Sequence, residues 1–215
     1  MSSSLPKGQV RSRLIAVEGN SGVGKTTVAA HLRDRLDAAL FHYPPEFTHF
    51  RGEVGMDSRV PPMANLLYHL GATLHLSELV EEQLGSRHVV CDRYWPGPLS
   101  LLSARGVLDD TEMERLSGPF ELRLLRPDLT VLVRATHSAA CARIRGRAER
   151  DGTPLRTAEQ WVLESEEFFT KREASLKRHA ARLGPLVEVD TTNLSAEAAG
   201  LEVESLCRSR LELAG

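Results

Sequence analysis

Gly19-Asn20-Ser21-Gly22-Val23-Gly24-Lys25-Thr26 gathers three glycines, a lysine and a hydroxyl into eight residues. The spacing is G-x-x-x-x-G-K-[ST], the pattern of a loop whose backbone amides converge on phosphate oxygens. The glycines permit the tight turn, Lys25 can reach the β- and γ-phosphates, and the Thr26 hydroxyl can ligate Mg²⁺. The apolar run Leu14-Ile15-Ala16-Val17 precedes the loop and a helical pattern follows it. The N-terminal dipole of that helix faces the same anion. The expectation is nucleoside triphosphate binding, with Asn20, Ser21, Gly22, Val23, Gly24, Lys25, Thr26 and Thr27 around the donor. No Asn-Lys-x-Asp guanine-reading motif is present, and 215 residues is short for a motor core.

Asp92-Arg93-Tyr94 is the second constellation. It closes the apolar run His88-Val89-Val90-Cys91. In an open parallel sheet, ligands sit beyond the carboxyl ends of the strands, so Asp92 is expected near Lys25. Asp92 would serve the metal or take the acceptor's proton, and Arg93 would clamp phosphate in bidentate fashion. A strand-end Asp capping a turn beside a surface Arg is the plainer alternative. The third constellation is Arg143, Arg145, Arg147, Arg150 and Arg156, set against Glu149 and Asp151 and followed by Asp151-Gly152-Thr153-Pro154. A helix end running into a basic, breakable loop suits a lid over a transferring phosphoryl group. Arginines two apart cannot share one helix face, so only part of the set is expected to serve, and a solvated face with i,i+4 pairs is the other reading.

The elements that must hold these residues alternate strand and helix. Strands are expected at 14–17, 40–43, 88–92, 128–133 and 186–189. Helices are expected at 28–40, 63–84, in two pieces over 99–116 broken near Gly106, at 138–147, 157–181 and 195–211. The stretch from Pro44 to Pro62 reads as irregular. Alternation of this kind implies βαβ units and a parallel sheet covered on both faces. No repeat or linker divides the chain, so the organisation is a leader over 1–12 and one domain over 13–215, with a lid at about 143–157.

Composition narrows the function. The net charge is -2, which disfavours nucleic acid as a partner. Arg outnumbers Lys 23 to 4, a skew that codon bias alone can produce. Cys91, Cys141 and Cys207 form no CxxC pair and are expected as free, mostly buried thiols. With neither a signal-like N-terminus nor a membrane-length apolar run, a cytoplasmic protein is expected.

The chain resembles the thymidylate kinase family of nucleoside monophosphate kinases over about 13–195. The resemblance runs through Glu18 to Thr27, Asp92-Arg93-Tyr94, Arg126-Pro127-Asp128-Leu129 and Arg143-Ile144-Arg145-Gly146-Arg147. It implies a three-layer α/β fold with a five-stranded parallel sheet, an ATP–Mg²⁺ donor site, a mobile lid and commonly a homodimer. Arg143 and Arg147 match lid arginines of the subtype whose phosphate loop lacks Arg, and Val23 agrees with that subtype. Asp190-Thr191-Thr192-Asn193 would lie beside the adenine, while Asn193 or Ser195 could cap the last helix. The acceptor side departs from the family. Ser21 replaces a carboxylate, Tyr43-Pro44-Pro45 aligns with Arg-Glu-Pro, Ala72 falls near another Arg, and the polar base reader is replaced around Gly97 and Leu102.

The reading is an ATP-dependent phosphotransferase in which Lys25, Asp92, Arg93 and Arg147 act on the phosphoryl group, and Thr26 and Asp92 hold the metal. The acceptor is expected to be a nucleoside monophosphate or modified nucleotide other than ordinary dTMP. Tyr43, Glu46, His49, His69, Arg93, Tyr94 and Trp95 are the candidates to bind it. Tyr94 and Trp95 would stack on a base, although Trp95 ahead of Pro96-Gly97-Pro98 could instead plug a turn. His69 and His75 sit in a helical pattern that suits packing better than chemistry. Two other outcomes stay open: a deoxynucleoside or other hydroxyl kinase, and an inactive nucleotide-binding regulator.

Overall fold

In the computed structural model, residues 11–54 and 60–213 are described. Five strands form one parallel sheet: β1 (Leu14–Glu18), β2 (Ala39–Phe41), β3 (Val89–Asp92), β4 (Leu129–Arg134) and β5 (Leu186–Asp190), in the order β2-β3-β1-β4-β5. The helices between them are α1 (Lys25–Leu36), α2 (Pro45–Val54), α3 (Pro62–Leu84), α4 (Pro96–Ala104), α5 (Asp110–Glu121), α6 (His137–Asp151), α7 (Thr157–Glu164), α8 (Glu166–Leu183) and α9 (Ala196–Leu211). The leader expected over 1–12 lies outside the described residues except for its last two.

β1 is central and buried at every position, as the apolar run Leu14–Val17 suits, and its last residue, Glu18, is a buried carboxyl. Its side chains alternate between two cores. Ile15 and Val17 pack with Val28 and Leu32 of α1 and Val203 of α9. Leu14 and Ala16 pack on the opposite face with Leu66 and Leu70 of α3 and Trp95, Leu99 and Leu102 near α4. Two cores enclosing one sheet make the three-layer α/β architecture. All three cysteines are free and buried.

Several boundaries differ from the sequence expectation, four of them for a clear local reason. Helix α1 starts at Lys25 on the left-handed Gly24 and stops at Leu36, where Asp37 also turns left-handed, so β2 begins at Ala39. The segment expected to be irregular contains α2, which opens on Pro45 with Glu46 in its first turn; proline suits the first helical position because its missing N–H costs no bond there. Helix α6 runs through the arginine-rich stretch to Asp151 and ends at left-handed Gly152, because arginine is a good helix former. The helix expected over 157–181 breaks at Ser165, whose extended backbone ends α7 and whose hydroxyl accepts the Phe168 N–H at 3.0 Å to start α8. Ser165→Ala should therefore cost about 1 kcal/mol, lowering the melting temperature by about 2–4 °C for a chain of this size, measured by calorimetry.

Candidate active site

The loop from Gly19 to Lys25 joins the end of β1 to α1. Gly19 and Gly22 take positive φ, and neither tolerates a side chain. A Cβ on Gly19 would collide with the Val133 carbonyl oxygen of β4, and one on Gly22 with the Ala140 carbonyl oxygen of α6. Asn20 anchors the loop from below through Nδ2, which donates to the Phe169 carbonyl of α8 at 2.9 Å. Lys25 folds back so that Nζ donates to the Asn20 carbonyl. It is buried, and desolvation followed by the nearby Arg93 guanidinium pushes its ammonium well below the usual lysine range.

The sheet order sets β3 next to β1, so Asp92 and the loop meet at the same edge. Thr26 Oγ1 donates to Asp92 Oδ2 at 2.7 Å, and His42 Nδ1, at the end of β2, lies 3.4 Å from the same oxygen. Asp92 Oδ1 is buried and accepts no hydrogen bond among the described residues. Arg93 adopts a left-handed backbone with φ 80°. Non-glycine residues take that conformation at a cost, and such strain tends to sit where function fixes the chain.

A cavity of about 900 Å³ opens over the loop. Ser21 to Thr27, Arg93, Arg143, Arg147, Arg150, Arg156 and Thr191 are among its lining. Arg143 is fixed by the loop after β5: its guanidinium donates to Thr191 Oγ1 at 3.0 Å and to the Thr191 carbonyl at 2.6 Å. Thr191 in turn donates to the Val23 carbonyl at 2.9 Å, tying this loop to the phosphate cradle. Arg147 lines the cavity but pairs with Glu159 of α7 at 2.7 Å, and Glu159 also accepts the Arg156 N–H. Arg150 pairs with its neighbour Asp151 at the surface.

The sequence thus brings together Asn20, Ser21, Gly22, Val23, Gly24, Lys25, Thr26, Thr27, Asp92, Arg93, Arg143 and Arg147. The acceptor candidates divide. Tyr43 Oη and His69 Nδ1 are hydrogen-bonded at 2.7 Å, with Phe47 and Tyr68 packed around them. Glu46 and His49 are exposed on α2. Tyr94 and Trp95 require correction: neither ring is available to stack on a base. Trp95 is wholly buried with Nε1 donating to Glu121, and Tyr94 is buried with its hydroxyl on the Leu125 carbonyl. Their apolar area lies in the core between sheet and α3, where burying it stabilises the fold. Trp161 is half-buried against the core, with the Arg105 guanidinium 4.4 Å from its ring centroid.

Two buried charges beside the loop, Glu18 and Arg172, lie outside the set of site residues expected from the sequence. Glu18 is fully enclosed, and burial raises its carboxyl above the usual range, against the Tyr94 N–H and the cations Arg93, Lys25 and Arg172 that pull it down. Arg172 of α8 is buried and acts electrostatically on both Glu18 and Lys25. Glu18 was visible as the residue closing β1, but Arg172 lies in a helix full of charges and has no signal of its own.

A glycine-rich loop between a central parallel strand and a helix, an acidic strand end beside it and a basic cavity above define a P-loop nucleotide kinase. The thymidylate kinase family model matches residues 17–199. The thymidylate kinase of Pelobacter propionicus is 29% identical over 213 residues, spanning 92% of this chain and 94% of that protein. That of Akkermansia muciniphila is 31% identical over 67% of this chain and 72% of its own length. The chain belongs to the thymidylate kinase family and is an ATP-dependent nucleotide kinase. Solved structures share the fold: the thymidylate kinase of Candida albicans superposes with a TM-score of 0.70 at 17% identity, covering 95% of this chain and 96% of that one. A deoxyadenosine kinase from M. mycoides gives 0.63 at 19% identity, over 91% and 99%. The relatives by sequence are named thymidylate kinase, which lends no support to an acceptor other than dTMP. Among the described residues, no helix is long and apolar enough to cross a membrane.

Proposed function

We propose that the chain moves the γ-phosphoryl group of ATP onto the phosphate of a nucleoside monophosphate, with the loop amides and Lys25 holding the donor and Arg93 facing the transferring group. The observation that carries this reading is the meeting of the cradle, Asp92 and Arg93 at the ends of β1 and β3. Phosphoryl transfer depends on position and charge neutralisation more than on covalent chemistry by the protein. The buried Lys25 ammonium, disfavoured when its strongest neighbour is Arg93, gains its counter-charge when phosphate enters.

Mg²⁺ fits the residues present. Thr26 Oγ1 and Asp92 are adjacent, and the buried Asp92 Oδ1 has a free acceptor position. Such a site holds the ion through one or two protein oxygens, the donor phosphates and water. Held there by Thr26 and Asp92, Mg²⁺ would supply positive charge against the donor phosphates. Thr26 and Asp92 orient that ion, Arg143 stands beside the adenine-side loop, and Arg147 belongs to a lid over 143–157.

A second reading, a kinase for deoxynucleosides, draws on the acceptor side. There the Tyr43–His69 pair stands where the resemblance would put a cation for the acceptor's phosphate, and Ala72 is buried and neutral. ADP release measured against nucleoside monophosphates, starting with dTMP, and against the matching nucleosides separates the readings. The expected result is turnover with a monophosphate. Turnover confined to nucleosides would replace the proposal with the second reading, and ATP binding without acceptor-dependent ADP release would mark an inactive regulator.

A further inference from the structure

We propose that Glu18 is a positioning residue for phosphoryl transfer, acting through Arg93 by anchoring the left-handed turn that carries the Arg93 guanidinium to the nucleotide cavity. The proposal rests on the reading of Arg93 given above.

The last two residues of β1 grip the peptides on either side of Arg93. The Arg93 N–H donates to the Val17 carbonyl at 3.0 Å, and the Tyr94 N–H donates to Glu18 Oε1 at 2.6 Å. Between these two bonds the Arg93 backbone is held at φ 80°, a conformation that an arginine leaves unless its flanks are fixed. Arg93 is the one non-glycine residue at positive φ in the cavity wall among the described residues; Asp37 and Glu212 sit at helix ends.

The choice of a carboxylate for this anchor asks for an explanation. A backbone carbonyl, an amide or a hydroxyl would also accept the Tyr94 N–H. Glu18 instead brings a charge into a fully buried position, which is costly unless other charges offset it. The offsetting charges are Arg93, Lys25 and Arg172, two of which belong to the proposed phosphate site. The second oxygen, Oε2, accepts no hydrogen bond among the described residues and lies 3.8 Å from where a Cβ on Gly97 would stand. A purely structural anchor has no use for that second, unbonded oxygen. A residue that holds a strained turn and also keeps the Arg93 cation beside it before the nucleotide arrives uses both. The Tyr94 N–H reaches the carboxyl oxygen at 2.6 Å, a short bond that suits holding the strained turn at Arg93.

The test is a double-mutant cycle on kcat with ATP and dTMP, or with the monophosphate turned over fastest in the panel above. Glu18→Ala should lower kcat by about 10²-fold, the loss that a misplacement of about 1 Å produces. KM for ATP should stay within about threefold, because the loop amides are untouched. The variant Glu18→Ala/Arg93→Ala should be no slower than Arg93→Ala alone, since a residue acting only through Arg93 has nothing left to position. If Glu18→Ala does not fold, Glu18→Gln, which keeps the volume and one acceptor oxygen, carries the same cycle with a loss of about tenfold. Losses that multiply in the double variant, or wild-type kcat in a folded Glu18 variant, would overturn the proposal. Wild-type kcat in Arg93→Ala would instead overturn the reading of Arg93 on which it stands.

Discussion

Lys25→Ala is expected to lower kcat by about 10³-fold or more, while the protein melts within a few degrees of wild type. Both halves of this result follow from the same geometry. The ammonium is buried, donates to the Asn20 carbonyl inside its own loop, and has Arg93 as its strongest charged neighbour. Burial of a charge in such company opposes folding, so its removal spares a desolvation penalty and offsets the lost hydrogen bond. The loop keeps its shape without it, because Gly19, Gly22 and the Asn20–Phe169 bond define the turn. In the transition state the balance reverses, since the charge spread over the phosphoryl oxygens is what a buried cation stabilises most. Lys25→Arg should not rescue the loss, because a planar fork does not fit where a single ammonium folds back on the loop. Steady-state ADP release and a thermal melt with and without ATP measure both halves. Unimpaired turnover in Lys25→Ala would remove the basis for assigning the loop to the donor.

The geometry of the glycine-rich loop was legible because it is local in sequence. Eight consecutive residues specify the cradle, and the apolar run before them specifies a strand buried on both faces. Asp92 required one further step: an acidic residue ending a second apolar run lies at the same sheet edge once the strands are parallel. Neighbouring registers in β1 and β3, with Val17 opposite Asp92, bear this out. The sequence could not convey which side chains around Arg93 face the cavity. Tyr94 and Trp95 follow it directly, yet the left-handed turn swings both into the core behind α3. An aromatic pair next to a catalytic motif has the same composition whether it stacks on a base or fills the interior. Arg172 shows the converse limit, since its burial is created by a helix that packs against the loop from more than a hundred residues away.

The cavity owes its shape to three contacts that no single segment encodes. Thr191 joins the loop after β5 to Val23, Arg143 joins α6 to Thr191, and Glu159 holds Arg147 from α7. The first two fix the wall nearest the cradle. The third spans the connection over 152–156 that carries Gly152 and Pro154, and ties α6 to α7.

Gly22→Ala is the second large effect, and it acts on binding and stability together. The added methyl would meet the Ala140 carbonyl oxygen far inside contact distance, with the Ala140 carbonyl carbon and Ile144 Cγ1 each at 3.0 Å. Neither backbone group can give way by rotating, because Ala140 lies inside α6 and its carbonyl is fixed by the helix. Alanine would also be held at φ 81°, where its Cβ is strained whatever space surrounds it. The two penalties together are expected to destabilise the fold by about 3–5 kcal/mol. For a chain of this length that corresponds to a fall of about 10 °C in melting temperature. The alternative response, in which the loop moves away from α6, would pull its amides out of convergence and abolish the gain in melting temperature that ATP gives the wild type. Calorimetry with and without ATP distinguishes the routes, since strain retained lowers the melting point while strain released removes the ATP shift. A Gly22→Ala protein with wild-type melting temperature and a full ATP shift would show that the loop and α6 do not touch as described, and with that contact would go the account of how α6 is braced against the phosphate cradle.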